Sequence, residues 1–252
     1  MYNTLKISVI AIALLAFTAC KDEKKTETVE SPPEVVVEET PEVELVGTVI
    51  TKEQQAALTP YGVIQSFKEG NQRFMDNDLT PRNKSKQVIK SAGGQYPEAV
   101  ILSCLDSRVP VEKVFDKGIG DLFVARVAGN FANEDILGSM EYACKVSGAK
   151  VILVMGHHSC GAIKAAVDDV KLGNITAMLQ KIKPAIAMVD YEGDKTSANY
   201  EFVEMVGESN VINTIANIRK NSPILKEMED NGEIKIVGAV YNVENGNVEW
   251  LN

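Results

Sequence analysis

The sequence predicts an α/β fold in which a mainly parallel central β-sheet is flanked by helices. Three short runs rich in Val, Ile and Leu carry this prediction: AVILSC (99–104), DLFVARV (121–127) and KVILVMG (150–156). Such runs are typical of strands that are buried on both faces. Helical patterns separate and follow them, and strands that alternate with helices indicate a parallel sheet.

Two helix starts precede the first strand. Thr51, with Gln54 three residues later, has the pattern of a capping box, and Thr59-Pro60 offers a second N-cap with proline at the first helical position. We therefore expect one or two helices over residues 51–76, extending from the core on its N-terminal side.

The remaining elements follow the same alternation. A helix is predicted over residues 133–148, with Asn133 as its cap and Gly148 as its stop. Further helices are expected at about 160–171, 175–189 and 199–220, and from Ser222-Pro223 to Gly232. The run IKIVGAVYNV (234–243) predicts another strand, and Asn245-Gly246 predicts a hairpin-type turn into NVEWL (247–251).

The first twenty residues have the pattern of a signal peptide. Lys6 is followed by the eleven-residue run ISVIAIALLAF, which is shorter than the about 20 apolar residues of a membrane-spanning helix. FTAC (17–20) resembles a bacterial lipoprotein cleavage box, which implies that Cys20 becomes a lipidated N-terminus. An ordinary secretory signal with an incidental cysteine is the alternative. The lipoprotein hypothesis predicts an exported protein anchored to the cell envelope, on the periplasmic face or the outer-membrane surface.

Residues 21–50 are predicted to be a disordered acidic tether, since acidic residues alternate there with Thr, Pro and Val. The net charge of the 252-residue chain is −9. That charge argues against a nucleic-acid partner, which would call for a basic stripe. Residues 51–252 are predicted to form a single domain.

Polar side chains with metal-binding chemistry follow two of the predicted strands. Cys104 follows the first, and His157 and Cys160 follow the third. Ligands in such sheets bind beyond the carboxyl ends of the strands, and two thiolates with one imidazole suit zinc. A Cys104–Cys160 disulfide is an alternative in an exported protein, although it would give the neighbouring His, Asp and Arg no role.

Four motifs together resemble the β-class carbonic anhydrases: CLDSR (104–108), RVAGN (126–130), GSMEYA (138–143) and GHHSCGA (156–162). The resemblance extends over roughly residues 59–245. It implies reversible hydration of CO2 to bicarbonate and a proton, one Zn2+ per chain, and a homodimer or higher homo-oligomer. By position, the zinc ligands are Cys104, His157 and Cys160.

Asp106 and Arg108 match the Asp–Arg dyad of that family. Three protein ligands leave a fourth zinc position for water, whose pKa falls from about 15.7 to about 7, so that a zinc-bound hydroxide forms. Asp106 would orient this hydroxide, and Arg108 would hold Asp106 ionised and away from the metal. In a closed state, Asp106 itself would take the fourth position.

The resemblance also implies a substrate pocket that is assembled across the subunit interface. Its residues here are Gln95, Phe123, Ala128 and Tyr142.

Three other residues are predicted to have structural or minor roles. Cys144 is expected in the core and Arg126 in a structural role near the dimer seam, and His158 is an exposed turn residue or, alternatively, a proton shuttle.

Two other functions fit the same residues. One is a hydrolase of a related heterocumulene, CS2 or COS, on the same zinc site. The other is a non-catalytic zinc-binding surface lipoprotein in which Asp106 is permanently the fourth ligand. Arg108 argues against the second, because a purely structural site needs no partner to draw that carboxylate off the metal.

Overall fold

A computed structural model describes residues 43–251. The predicted signal peptide, Cys20 and most of the predicted tether lie outside these residues. The described part contains a five-stranded sheet in the order β2-β1-β3-β4-β5. Its strands are β1 Ala99–Ser103, β2 Leu122–Arg126, β3 Val151–His157, β4 Lys235–Tyr241 and β5 Val248–Leu251. The first four are parallel and β5 is antiparallel to β4, which confirms the predicted α/β fold.

Ten α-helices surround the sheet within the described residues. They are α1 Lys52–Ala57, α2 Pro60–Met75, α3 Lys84–Ser91, α4 Val111–Val114, α5 Glu134–Glu141, α6 Gly161–Val167, α7 Gly173–Leu179, α8 Lys183–Ala187, α9 Tyr200–Asn221 and α10 Pro223–Asp230. The predicted caps are present. The Thr51 hydroxyl accepts from the Gln54 N–H, the Gln54 side chain accepts from the Thr51 N–H, and the Thr59 hydroxyl accepts from the Gly62 N–H.

The central strands are buried because helices cover both faces of the sheet. All residues of β1 and β3 are buried. Alternate side chains of β1 enter different cores: Leu102 packs in a cluster with Val211 and Ile218 of α9, and Ile101 in a cluster with Phe67 of α2. Period-two alternation between two apolar cores explains why the strand sequence reads as continuously hydrophobic.

Three predicted helices are shortened or divided in the structure, and two helices were not predicted. The helix predicted at about 160–171 ends at Val167. The helix predicted over 133–148 is an α-helix only to Glu141, and a π-helical turn, Tyr142–Val146, follows before Gly148 ends the segment with φ +82°. The helix predicted over 175–189 is divided into α7 and α8, since Pro184 at the start of α8 cannot continue a preceding helix. Helices α3 and α4 were not predicted, although Asn83 caps α3 by accepting from the Lys86 N–H.

Part of the segment assigned to the tether lies against the domain. Val46 forms an isolated parallel bridge with Arg82, and its N–H donates to the Pro81 carbonyl at 2.9 Å. The Gln87 amide donates to the Thr48 carbonyl at 3.0 Å. Contacts of the domain thus begin before the predicted boundary at residue 50. Over residues 43–251, no helix has the length and apolar character needed to cross a membrane.

Asp116 joins helix α2 and the segment after it to the turn that follows α4. Its side chain is fully buried and accepts from Arg73 Nε at 2.6 Å, from the Thr80 hydroxyl at 2.6 Å, and from the Arg82 guanidinium. Burial alone raises the pKa of this carboxyl, but the bonds from Thr80, Arg82 and Arg73 outweigh it and bring the pKa to about 2. The buried charge is therefore paired on several sides, as buried charges must be.

Candidate metal centre

The three predicted zinc ligands converge at the carboxyl edge of the sheet. Cys104 follows β1, His157 ends β3, and Cys160 lies directly before α6. All three are buried, and their ligand atoms lie within 4.8 Å of one another. The two sulfurs are 3.9 Å apart and both thiols are free, whereas a disulfide requires about 2.05 Å. The spacing is that of ligands around one ion.

The orientation of the His157 ring fits a metal ligand. Its Nδ1 lies 2.9 Å from the carbonyl oxygen of His158. Because a carbonyl only accepts, Nδ1 must carry the proton, and Nε2 then presents a bare lone pair. Nε2 is buried and has no hydrogen-bond partner among the described residues. A backbone carbonyl that fixes the tautomer is the usual support of a metal-binding histidine. The residues present therefore fit a zinc ion.

Of the two sulfurs, that of Cys104 lies in an environment that favours thiolate. The hydrogen bond from Cys160 has the largest effect on the pKa of Cys104 and, with the Gly129 N–H at 3.4 Å, lowers it to about 4 against the effect of burial. The same hydrogen bond and burial raise the pKa of Cys160. A cation between the two sulfurs would replace the shared proton, since zinc binds cysteine as thiolate.

Asp106 and Arg108 form a bidentate pair at the edge of the cluster. Arg108 donates from Nε to Asp106 Oδ1 at 3.0 Å, from Nη2 to Oδ2 at 2.8 Å, and from its backbone N–H to Oδ1 at 2.9 Å. These bonds lower the pKa of Asp106 to about 2. Asp106 Oδ2 lies 3.8 Å from His157 Nε2, so an ionised carboxylate borders the ligands without being one of them.

Arg126 holds the backbone of the loop that carries Cys104 and Asp106. Its Nε donates to the Cys104 carbonyl at 3.0 Å, and its Nη2 donates to the carbonyls of Asp106 and Val109 at 2.7 and 2.9 Å. These contacts agree with the structural role predicted for Arg126, and its place near a dimer seam stays a prediction. One planar guanidinium fixes three carbonyls and thereby places a ligand and the carboxylate together.

Helix α9 supplies two side chains to the site that the sequence prediction missed. The Glu204 carboxylate accepts from the Ser159 N–H at 2.8 Å, in the turn between His157 and Cys160. The Asn210 amide donates to the Gly129 carbonyl at 2.8 Å, and Gly129 in turn donates to the Cys104 sulfur. Glu204 and Asn210 are two of several polar residues along α9, and the helix pattern does not reveal their partners.

Within one chain, most of the predicted substrate residues lie away from the metal cluster. The rings of Phe123 and Tyr142 are 6.3 Å apart and line an open groove of about 770 Å³. Gln95 and Tyr142 line an adjoining cavity of about 470 Å³. Phe123 pairs with Val100 near the start of β1, whereas Cys104 follows the end of that strand. The pairing register of β1 and β2 therefore places Phe123 at the opposite end of β1 from Cys104.

The other assigned residues occupy definite positions. Ala128 is half-buried beside Gly129, and Cys144 is in the core, as predicted, where burial raises the pKa of its thiol to about 12. The prediction that His158 is exposed was wrong. Its side chain is only 16% exposed, with Nε2 at 3.9 Å from Glu204 Oε2, because α9 packs across the turn.

Comparisons with known proteins agree with this site. The family model described as carbonic anhydrase matches residues 99–248. Carbonic anhydrase 2 of Mycobacterium tuberculosis is 34% identical over 195 residues, which cover 74% of this chain and 90% of that protein.

Two solved structures share the fold. The Coccomyxa β-carbonic anhydrase in complex with acetazolamide is similar with a TM-score of 0.59 and 25% identity, over 75% of this chain and 84% of that one. A structure of the tetrameric β-carbonic anhydrases from Sordaria macrospora is similar with a TM-score of 0.58 and 23% identity, over 76% of this chain and 95% of that one. Family match, sequence identity and the Cys–His–Cys cluster together establish that this chain belongs to the β-class carbonic anhydrase family.

Proposed function

We propose that the protein catalyses the reversible hydration of CO2 to bicarbonate and a proton, with zinc held by Cys104, His157 and Cys160. The observation that carries this proposal is a buried three-ligand cluster bordered by a carboxylate that is paired and ionised. Zinc with three protein ligands and an open fourth position acidifies a water molecule to hydroxide near neutral pH. In the net reaction, a water oxygen bonds to the carbon of CO2 and one proton passes to solvent.

In this proposal Asp106 orients the attacking oxygen. An ionised carboxylate only accepts hydrogen bonds, so it binds the nucleophile through its hydrogen and leaves a lone pair directed at the substrate carbon. The low pKa of Asp106, caused mainly by Arg108, keeps it in the accepting form over the working pH range. Arg108 also occupies both carboxylate oxygens, which opposes their approach to the metal.

CO2 carries no net charge, so its binding requires apolar contact and one oriented donor. Phe123, Tyr142 and Ala128 are suited to the first role and the Gln95 amide to the second. Within one chain, Phe123, Tyr142 and Gln95 lie away from the cluster. We therefore propose a homodimer or larger assembly in which these residues reach the site of the neighbouring subunit. The similar Sordaria macrospora enzymes are tetrameric, which supports a homo-oligomer.

We also propose that the chain is exported and anchored by lipid at Cys20. The support is the short apolar run after Lys6 and the FTAC sequence. Metabolic labelling with a radioactive fatty acid should mark the wild-type chain and leave Cys20→Ser unlabelled. Equal labelling of both chains, or labelling of neither, contradicts the anchor while leaving the zinc chemistry untouched.

The function is tested by comparing substrates on one enzyme preparation. Stopped-flow assays should show hydration of CO2 far faster than hydrolysis of COS or CS2. Faster turnover of a sulfur-containing substrate would replace the proposal with the heterocumulene hydrolase. A protein that binds zinc but turns over none of the three would be the non-catalytic zinc lipoprotein, which the occupied oxygens of Asp106 disfavour.

A further inference from the structure

The turn between two of the zinc ligands has a backbone conformation that needs external support. Only His158 and Ser159 separate His157 from Cys160. Ser159 has φ +54°, in the left-handed region. A residue with a Cβ adopts this region at a cost in free energy, so it persists where surrounding contacts fix it. The relative placement of the two ligands depends on the backbone of His158 and Ser159.

Three hydrogen bonds shorter than 3 Å hold the turn. The His158 N–H donates to the Tyr241 carbonyl at 2.9 Å, and His157 Nδ1 donates to the His158 carbonyl at 2.9 Å. The first of these joins two backbone groups, and the second has the ring of a zinc ligand as its donor. The third is made at the left-handed residue itself and runs from the Ser159 N–H to Glu204 Oε1 at 2.8 Å. Its acceptor is the side chain of a residue 45 positions away in the sequence.

Glu204 is rigidly placed to make this contact. Its neighbours Val203 and Val206 on α9 are buried in the same cluster as Cys160. The carboxylate is itself only 16% exposed, and its second oxygen lies 3.9 Å from His158 Nε2. Both oxygens of Glu204 therefore face the turn.

The backbone of Ser159 also lies beside the Asp–Arg pair. Its N–H donates to Glu204, and its carbonyl oxygen is 3.5 Å from Arg108 Nη2. The backbone of this one residue thus contacts both the carboxylate of α9 and the guanidinium that holds Asp106. A shift of Ser159 would move the ligand turn and Arg108 together.

We propose that Glu204 is a positioning residue of the zinc site, fixing the His157–Cys160 turn through its hydrogen bond to the Ser159 N–H. The inference rests on the proposed zinc function and adds to it a residue on α9 outside the ligand set and the dyad. It assigns the effect to the reach of the acceptor oxygen rather than to the negative charge.

Three substitutions separate the effect of the position of the acceptor oxygen from the effect of the negative charge. Glu204→Gln keeps an acceptor oxygen at the same reach without the charge, Glu204→Asp keeps the charge on a side chain one methylene shorter, and Glu204→Ala removes both. Glu208→Ala is the matched control, because Glu208 lies one turn further along α9 and is exposed. Zinc affinity is measured by competition with a chromophoric chelator, and ligand geometry by the absorption spectrum of the Co2+-loaded protein.

We expect Glu204→Gln and Glu208→Ala to bind zinc within about threefold of wild type and to keep the wild-type Co2+ spectrum. Glu204→Asp and Glu204→Ala should bind zinc about tenfold to 100-fold more weakly, with altered spectra, the range seen when outer-shell partners of metal ligands are lost. If Glu204→Ala does not fold, the comparison of Gln with Asp decides. Wild-type behaviour of Glu204→Asp, or equal weakening by Gln and Asp, overturns the proposal.

These readouts are independent of CO2 hydration. The predicted order of zinc affinities in a protein without CO2 hydration would contradict the proposed function and leave the role of Glu204 intact. An active wild-type enzyme whose variants all bind zinc equally would contradict the role of Glu204 and leave the proposed function intact.

Discussion

Arg108 binds both carboxylate oxygens of Asp106, from Nε to Oδ1 at 3.0 Å and from Nη2 to Oδ2 at 2.8 Å. This fork fixes the plane of the carboxylate as well as its charge. Oδ2 is thereby held 3.8 Å from His157 Nε2, beside the zinc ligands. The orientation of Asp106 toward the site is thus set by a residue only two positions away.

Replacing Arg108 should impair turnover more than zinc binding. We expect Arg108→Ala to lower kcat by about 100-fold, the effect of losing one well-placed polar partner in a catalytic site, with zinc content unchanged. Stopped-flow CO2 hydration and metal analysis of the same sample measure both. Arg219→Ala is the control, since Arg219 makes a comparable fork with Glu229 at 2.7 and 2.8 Å. A wild-type kcat in Arg108→Ala contradicts the role of the pair.

Asp116 should make folding stability sensitive to acid. Its folded-state pKa of about 2 lies below the ordinary value of 3.8, so its contribution is present above about pH 4 and is lost as the pH falls towards 2. We expect Asp116→Asn to lower the free energy of unfolding at pH 7 by about 2 kcal/mol, because two arginines lose a charged partner. Urea titrations should show the difference between the two proteins constant from pH 7 to 5 and shrinking below 4. A difference that grows below pH 4 would have the wrong sign.

Gly129 should be intolerant of a side chain. It has φ +82°, and an added Cβ would lie 2.5 Å from Ile182 Cδ1. We expect Gly129→Ala to cost about 2–4 kcal/mol, from left-handed strain together with overpacking, and to alter the Co2+ spectrum, because the Gly129 N–H donates to Cys104. Gly232→Ala is the matched control, with φ +74° and open space around it. Equal losses of stability in both variants would show that backbone strain alone acts at Gly129.

The position of Gln95 predicts complementation between subunits. Gln95→Ala should lower activity without loss of zinc, and Cys160→Ser should abolish zinc binding. If Gln95 serves the neighbouring subunit, a mixed dimer of the two variants contains one complete site, and activity should rise above that of either variant when the two chains are refolded together. Mixtures whose activity does not rise, with mixed dimers verified by mass spectrometry, contradict an intersubunit pocket.

The sequence located the chemistry of the site because its motifs are local. CLDSR and GHHSCGA each follow a strand, and the parallel sheet brings the two strand ends to one edge. Cys104, His157 and Cys160 were therefore predictable as a cluster, and the resemblance of CLDSR to the family motif implied that Asp106 and Arg108 pair. The positions of β1 and β3 were equally accessible, since burial on both faces leaves an uninterrupted apolar run.

Contacts made by tertiary packing could not be predicted from the sequence in this way. Glu204 and Asn210 act on turns far away in the sequence, and a helix pattern does not show which loop a polar residue will meet. The π-helical turn at Tyr142–Val146 has the same apolar spacing as an ordinary helix end. Val46 pairs beside Arg82 through backbone groups, which any residue could supply, so its place in the domain left no signal.

The most direct test of the central claim is the rate of CO2 hydration as a function of zinc content, measured by stopped flow between pH 6.5 and 9. We predict a rate that rises in proportion to bound zinc, reaches its maximum at one ion per chain, increases with pH, and vanishes in Cys160→Ser. A protein that holds one zinc per chain yet hydrates no CO2 at any pH in this range would contradict the account.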